Sequence, residues 1–221
     1  MQNPWLELST ESERYVLEMD RDAILRFNAR VNPTCRVVVE SIPEPFIGNP
    51  ESARVVLLLL NPGHDDSDHE SHRVKTFKRA LIQNLHHQPQ DYPFYPLNPL
   101  FESTGSAKWW LPRTRDLLQE TKLDRATLAN RLLAIEWFPY HSKSSALPRQ
   151  PFCKSQDYTF QIAREMLRTK LVVAMRSVNH WAEADTRFLK VPRLTNPRSC
   201  YISKGNMAPG LFDDIVRTLG D

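Results

Sequence analysis

Two stretches far apart in the chain carry the residue types and spacing that could do chemistry. They are Val55-Val56-Leu57-Leu58-Leu59-Leu60-Asn61-Pro62-Gly63-His64 and Val191-Pro192-Arg193-Leu194-Thr195-Asn196-Pro197-Arg198-Ser199. Each reads as a buried strand that breaks into an Asn-Pro turn. Ligands of an open parallel sheet bind outside the carboxyl ends of its strands, so two such turns can face one crevice. A third run, Leu132-Leu133-Ala134-Ile135-Glu136-Trp137-Phe138-Pro139, ends the same way and leads into Tyr140-His141-Ser142. A rival chemistry lies beside the first turn. His64 to His72 holds three histidines and four carboxylates in nine residues, which could bind a divalent metal for a metal-dependent hydrolase. The same run also suits an acidic helix start, and its spacing is not HExxH.

The elements that must position these turns alternate. Strands are expected at 54–60, 132–138, 170–175 and 188–191. Helices are expected behind Thr10-Glu11-Ser12-Glu13, which has capping-box spacing, and at about 70–87, 108–120, 124–130, 157–168, 178–185 and 212–219. Strands alternating with helices argue for a central four-stranded parallel sheet between two helical layers, a three-layer α/β/α fold. The 221 residues, 41% of them apolar, suit one domain, with residues 1–41 as a helical N-terminal extension on a core of 42–221. The segment 42–50 is expected to cross as an extended loop, and 88–107 as a long ordered loop, unusual enough to be a functional candidate.

Composition narrows the classes. A net charge of +3, from 29 Lys+Arg against 26 Asp+Glu, permits a nucleic-acid partner without requiring one. Cys35, Cys153 and Cys200 form no CxxC pair, so neither a disulfide framework nor a four-Cys metal site is available. The absence of a signal-like N-terminus and of any long apolar run predicts a soluble, cytoplasmic chain with no membrane partner.

The Asn61-Pro62-Gly63 turn after the first core strand, and Asn196-Pro197-Arg198-Ser199 after the last with Ser203-Lys204-Gly205 behind it, resemble the uracil-DNA glycosylase superfamily over residues 42–219. The Asn-Pro-Gly turn is most similar to its mismatch-specific branch. The resemblance implies a monofunctional, cofactor-free, monomeric glycosylase that flips a base out of DNA and hydrolyses its N-glycosidic bond, with no metal. It implies that Asn61 positions the attacking water and that Asn196 faces the base or sugar; beside it, a direct catalytic or base-contacting role for His64 is a further reading of the His64–His72 run. The resemblance implies further that Phe94 or Tyr95 stacks on the base, and that Gly63 and Glu136 line the base pocket. Pro62, Ser142, Arg198, Ser199, Ser203 and Lys204 would meet the DNA, and Tyr201 or Ile202 would wedge into the stack. Arg198 stands where the family has a small Ser.

Two of these positions bear on the base itself. An ionised Glu136 accepts from an exocyclic amine and suits a cytosine-like or adenine-like edge better than uracil. Gly63 stands where uracil-specific enzymes bar a 5-methyl group. Together they favour a 5-substituted base, with a hypermodified cytosine of foreign (phage) DNA beside uracil and mismatched bases as targets. The setting is either DNA repair or antiviral defence. A catalytically silent nucleic-acid-binding relative is the remaining alternative to an enzyme.

Overall fold

The computed structural model describes residues 2–11, 13–65 and 68–221. Its centre is a four-stranded sheet of β1 (Phe46–Gly48), β2 (Val55–Leu59), β3 (Leu132–Glu136) and β4 (Leu171–Ala174), in the order β1-β3-β2-β4. β3, β2 and β4 run parallel, with Leu59 opposite Glu136 and Leu58 opposite Ala174. Every residue of β2 and β3 is buried, as strands covered on both faces must be.

The helices are α1 (Arg21–Asn28), α2 (Asp68–Ser71), α3 (Lys75–Leu85), α4 (Gly105–Thr121), α5 (Arg125–Arg131), α6 (Gln156–Thr169), α7 (Val178–Ala184) and α8 (Leu211–Gly220). α6 packs on β3 and β4, α8 on β2, and α3 and α5 on β1. Local chemistry sets their ends. Thr104 caps α4 by accepting from the Ala107 N–H at 3.2 Å, and Asp124 caps α5 by accepting from Thr127 at 2.7 Å. None of the helices among the described residues is long and apolar enough to cross a membrane.

Three sequence expectations need correction. The sheet is mixed and not all-parallel, because Phe46–Gly48, expected within an extended loop, pairs antiparallel with β3 as an edge strand. Gly48 adopts φ 121° there, and a Cβ on it would lie 2.4 Å from the Leu132 carbonyl oxygen, so the pairing requires glycine.

The second correction concerns residues 188–191, expected as the fourth strand. Residues Thr186–Lys190 form a 3-10 turn instead, capped by Asp185, whose side chain accepts from the Arg187 N–H at 2.9 Å. Phe188 alone is buried in that turn, so the run has no strand face. Extended pairing begins only at Arg193, which bridges Ala174, and at Leu194, which bridges Met207.

Third, among the described residues the Thr10–Glu13 spacing heads no helix; its Ser12 lies outside them. A 3-10 turn over Pro4–Glu7 precedes it, and the next helical stretch is a 3-10 turn over Glu18–Asp20 that continues as α1. The segment before it is held by tertiary contacts. Tyr140 Oη donates to Asp20 Oδ2 at 2.8 Å and accepts from the Leu17 N–H at 3.3 Å, while Asp20 Oδ1 accepts from Ser155 N–H. Trp5, Leu17 and Ile24 join the same core as the sheet, so the N-terminal extension is part of one folding unit.

Candidate active site

A cavity of about 360 Å³ opens at the carboxyl ends of the three parallel strands. The turn after β2 contributes Asn61 and Gly63, β3 contributes Glu136, and the turn after β4 contributes Arg176. This is the crevice expected of a parallel sheet. The turn after β2 is fastened to the segment after β3: Gly63 bridges Ser142, and Asn61 Nδ2 donates to Ser142 Oγ and to the Pro62 carbonyl, each at 3.0 Å. With Nδ2 spent on protein oxygens, Asn61 Oδ1 is the atom left to accept from a ligand or a water. A Cβ on Gly63 would meet nothing within 4 Å, so that side of the cavity is open.

The buried groups around the cavity are mostly ionisable. Glu136 is 4% exposed and its Oε2 has no hydrogen-bond partner. Burial, with the like charge of Glu44 adding to it, pushes its carboxyl well above the ordinary 4.5 against the opposing pull of Arg176. Glu44 is 6% exposed, also leaves Oε1 unpartnered, and is raised by burial against the pull of His141. The Tyr95 hydroxyl sits beside Glu44 without forming a well-shaped hydrogen bond, and burial next to that carboxylate drives it well above its ordinary value.

Three histidines close this side. Ile42 is clamped between two of them: its N–H donates to His72 Nδ1 at 3.0 Å, and its carbonyl faces His141 Nε2 at 2.9 Å. His141 Nδ1 faces the Gly63 carbonyl at 2.6 Å, so the ring ties the β2 turn to the Ile42 segment. His64 Nδ1 lies 3.3 Å from Ser41 Oγ and 3.9 Å from Asp68 Oδ2. Burial lowers His64 below 6.5 and lowers His72 further, and the neighbouring histidines add to both shifts. Both rings are neutral bases at neutral pH.

Glu44, His72 and His141 bring ligand-type atoms within 4.8 Å of one another. Their hydrogen bonds do not fit a cation. A metal-bound imidazole donates its other N–H, whereas His72 Nδ1 accepts from a backbone amide and both nitrogens of His141 face carbonyl oxygens. The cluster expected over His64–His72 is not gathered into such a group among the described residues, and its Asp66 and Ser67 lie outside them.

Of the sequence-derived residues, Asn61, Pro62, Gly63, His64, Glu136 and Ser142 line the cavity together. Asn196 does not. It is exposed, with its Oδ1 accepting from the Arg198 N–H at 3.1 Å. The loop around it is organised by buried Asn206, whose side chain bonds Asn196 N–H and the Tyr201 carbonyl at 2.6 and 2.9 Å.

Phe94 and Tyr95 are buried beneath the cavity and not on its wall, Phe94 edge-on to Trp110 at 4.8 Å. Trp109 and Trp110 supply the aromatic wall instead. Arg113 lies 3.9 Å above the Trp109 ring and 5.3 Å from Tyr201. Tyr201 is 41% exposed and can reach outward, whereas Ile202 is 1% exposed and cannot. Arg198 and Lys204 are exposed, Lys204 facing Asp213 at 3.3 Å, while Ser199 and Ser203 are half-buried.

Glu44, Trp109 and Arg176 were not found from sequence, and His72 was read only as part of a possible metal-binding run. The one available signal was Glu44 itself, a carboxylate between two prolines in the otherwise apolar stretch 42–47.

Compared with protein-family models, with curated proteins and with solved structures, the chain matches none.

Proposed function

We propose that the chain is a DNA glycosylase of the uracil-DNA glycosylase type, built as a three-layer α/β/α stack. The observation that carries this reading is Asn61. It stands at the mouth of a cavity at the carboxyl ends of three parallel strands, with Oδ1 as its unspent acceptor. An amide there orients a water but cannot take its proton. His64, a neutral imidazole on the same wall whose polar contacts run through Nδ1, supplies the base through Nε2.

The aromatic wall suits a base taken out of the stack and held against Trp109 or Trp110. Arg113 and Arg176, both near Trp109, offer positive charge to the DNA backbone. The cavity is complete within one chain, so a monomer suffices and no cofactor is called on. Asn196, exposed and outside the cavity, is assigned to the DNA surface with Arg198, Ser199, Tyr201, Ser203 and Lys204, and not to the base.

The test is single-turnover excision from DNAs carrying uracil, mismatched thymine or 5-substituted cytosines, read as alkali-labile breaks. Asn61→Ala is expected to lower the rate by about 10²–10³ while DNA affinity stays nearly unchanged, the signature of a donor or acceptor that acts in the transition state. An unchanged rate would remove Asn61 from the mechanism. DNA binding without abasic sites in the wild-type protein would identify a silent binding relative.

A further inference from the structure

We propose, on the glycosylase reading above, that Glu136 is the proton donor to the departing base, with Glu44 as the second buried carboxyl of the same cavity wall, and that the site serves amino-substituted bases of the cytosine type. The geometry is unusual for a structural role. Glu136 Oε2 and Glu44 Oε1 are both buried, both lack a hydrogen-bond partner, and both residues line the one cavity. An unsatisfied buried acceptor costs stability, and a fold with no use for it would hold an apolar side chain.

The groups facing this pair are few. Glu44, Tyr95 and Arg176 face Glu136, while His141, Tyr95 and Asp68 face Glu44. Arg176 is a cation that acts on Glu136, and its Nε and Nη2 point to Cys200 Sγ at 3.2 and 3.0 Å. The guanidinium keeps its charge, because a thiol is a weak and neutral acceptor, and its pull on Glu136 only partly offsets burial. Burial, with Glu44 adding to it, raises the Glu136 carboxyl well above 4.5 despite the opposing pull of Arg176, which favours its protonated, O–H-donating form.

Leaving-group chemistry explains the use of such a donor. Uracil departs with its negative charge spread over two carbonyls. Cytosine has an amine in place of one of them, departs less readily as an anion, and needs a proton as the C1′–N1 bond breaks. In the proposed step the water oxygen bonds to C1′, and the C1′–N1 electron pair goes to the base. The Glu136 proton passes to an acceptor nitrogen or oxygen of the base. The proton of the water passes to His64 and returns through solvent to the Glu136 carboxylate, so the net change is addition of one water. Glu136 then reads the base as a donor, not only as the ionised acceptor expected from its residue type.

The test compares two leaving groups of one shape, 5-hydroxymethylcytosine and 5-hydroxymethyluracil, in otherwise identical DNA. Single-turnover excision by wild type, Glu136→Gln, Glu136→Asp and Glu44→Gln is followed across pH, with folding checked by thermal melting. Glu136→Gln is expected to slow the cytosine member by about 10²–10⁴, the usual contribution of a general acid, and the uracil member by less than about tenfold. It is also expected to abolish the alkaline fall in rate, which Glu136→Asp retains and Glu44→Gln moves to lower pH. Equal slowing of both bases, or an intact alkaline limb in Glu136→Gln, would overturn the proton-donor role and leave the glycosylase reading standing. Release of neither base by folded wild-type protein would overturn both.

Discussion

A buried, unpartnered carboxyl in a cavity wall should make the protein less stable than it could be. Glu136→Met keeps the side-chain length, removes both oxygens and leaves the contact between Arg176 and Cys200 untouched. An unsatisfied buried polar group costs about 1–3 kcal/mol. For a domain of this size each kcal/mol moves the melting temperature by roughly 2–4 °C. The variant is therefore expected to melt about 2–12 °C above wild type at neutral pH.

The sign of the pH dependence follows from the raised carboxyl. Glu136 holds its proton more tightly folded than unfolded, so its contribution is fully present below 4.5 and is lost as pH rises toward the folded value. The advantage of Glu136→Met over wild type should therefore widen as pH is raised above 4.5. Urea midpoints at a series of pH values measure both effects without any knowledge of the substrate. A variant less stable than wild type by about 1 kcal/mol or more would mean that Glu136 has a satisfied structural role and would refute the reasoning.

Three further outcomes are expected. His72 and His64 are held below 6.5 when folded, so their contribution is present above 6.5 and is lost as pH falls below it, by at most about 1.4 kcal/mol per pH unit for each ring. His72→Asn, which can still accept from the Ile42 N–H but cannot titrate, should flatten that acid loss in urea midpoints; an identical slope would show that His72 is not its source. Gly63→Tyr has room for its Cβ, and should exclude 5-substituted bases at least tenfold more than unsubstituted ones in excision assays, unless the base enters from another side. Asn206→Ala should release the 196–201 loop and weaken DNA binding while the cavity chemistry, built from other elements, proceeds at its usual rate once DNA is bound.

Much of the frame was legible in the sequence. The parallel strands β2, β3 and β4 are apolar runs too short and too rich in Val, Ile and Leu for helices, and Pro62 and Pro139 mark two of their exits. Asn61 could be placed in a crevice because strand ends of a parallel sheet converge by topology, whereas Gly63 and Glu136 were placed beside it by the resemblance. Other features are products of packing. β1 is three residues between Pro-rich turns, below the length at which periodicity can speak. Residues 188–191 look like a strand in composition, but Asp185 offers the backbone a cap that closes a 3-10 turn.

The composition of the cavity wall was harder to read. Trp109, His72 and Glu44 approach it from three separate segments, and nothing in spacing links them. Phe94 and Tyr95 carry the right ring type, yet the loop turns them inward to support Trp110 and Phe77. Asn196 shares the Asn-Pro signature of Asn61 and lies outside the cavity, because Asn206 fixes its loop by bonding backbone atoms on either side of it.

The most direct measurement is of the released product. DNAs carrying uracil, mismatched thymine or 5-substituted cytosines are incubated with the protein in the presence of EDTA, and free base and abasic sites are quantified by mass spectrometry. Expected is one free base for each abasic site, with the sugar-phosphate backbone intact, the chelator without effect, and the product lost in Asn61→Ala. Intact DNA from every substrate, or activity that the chelator abolishes, would contradict base excision by a water held at Asn61.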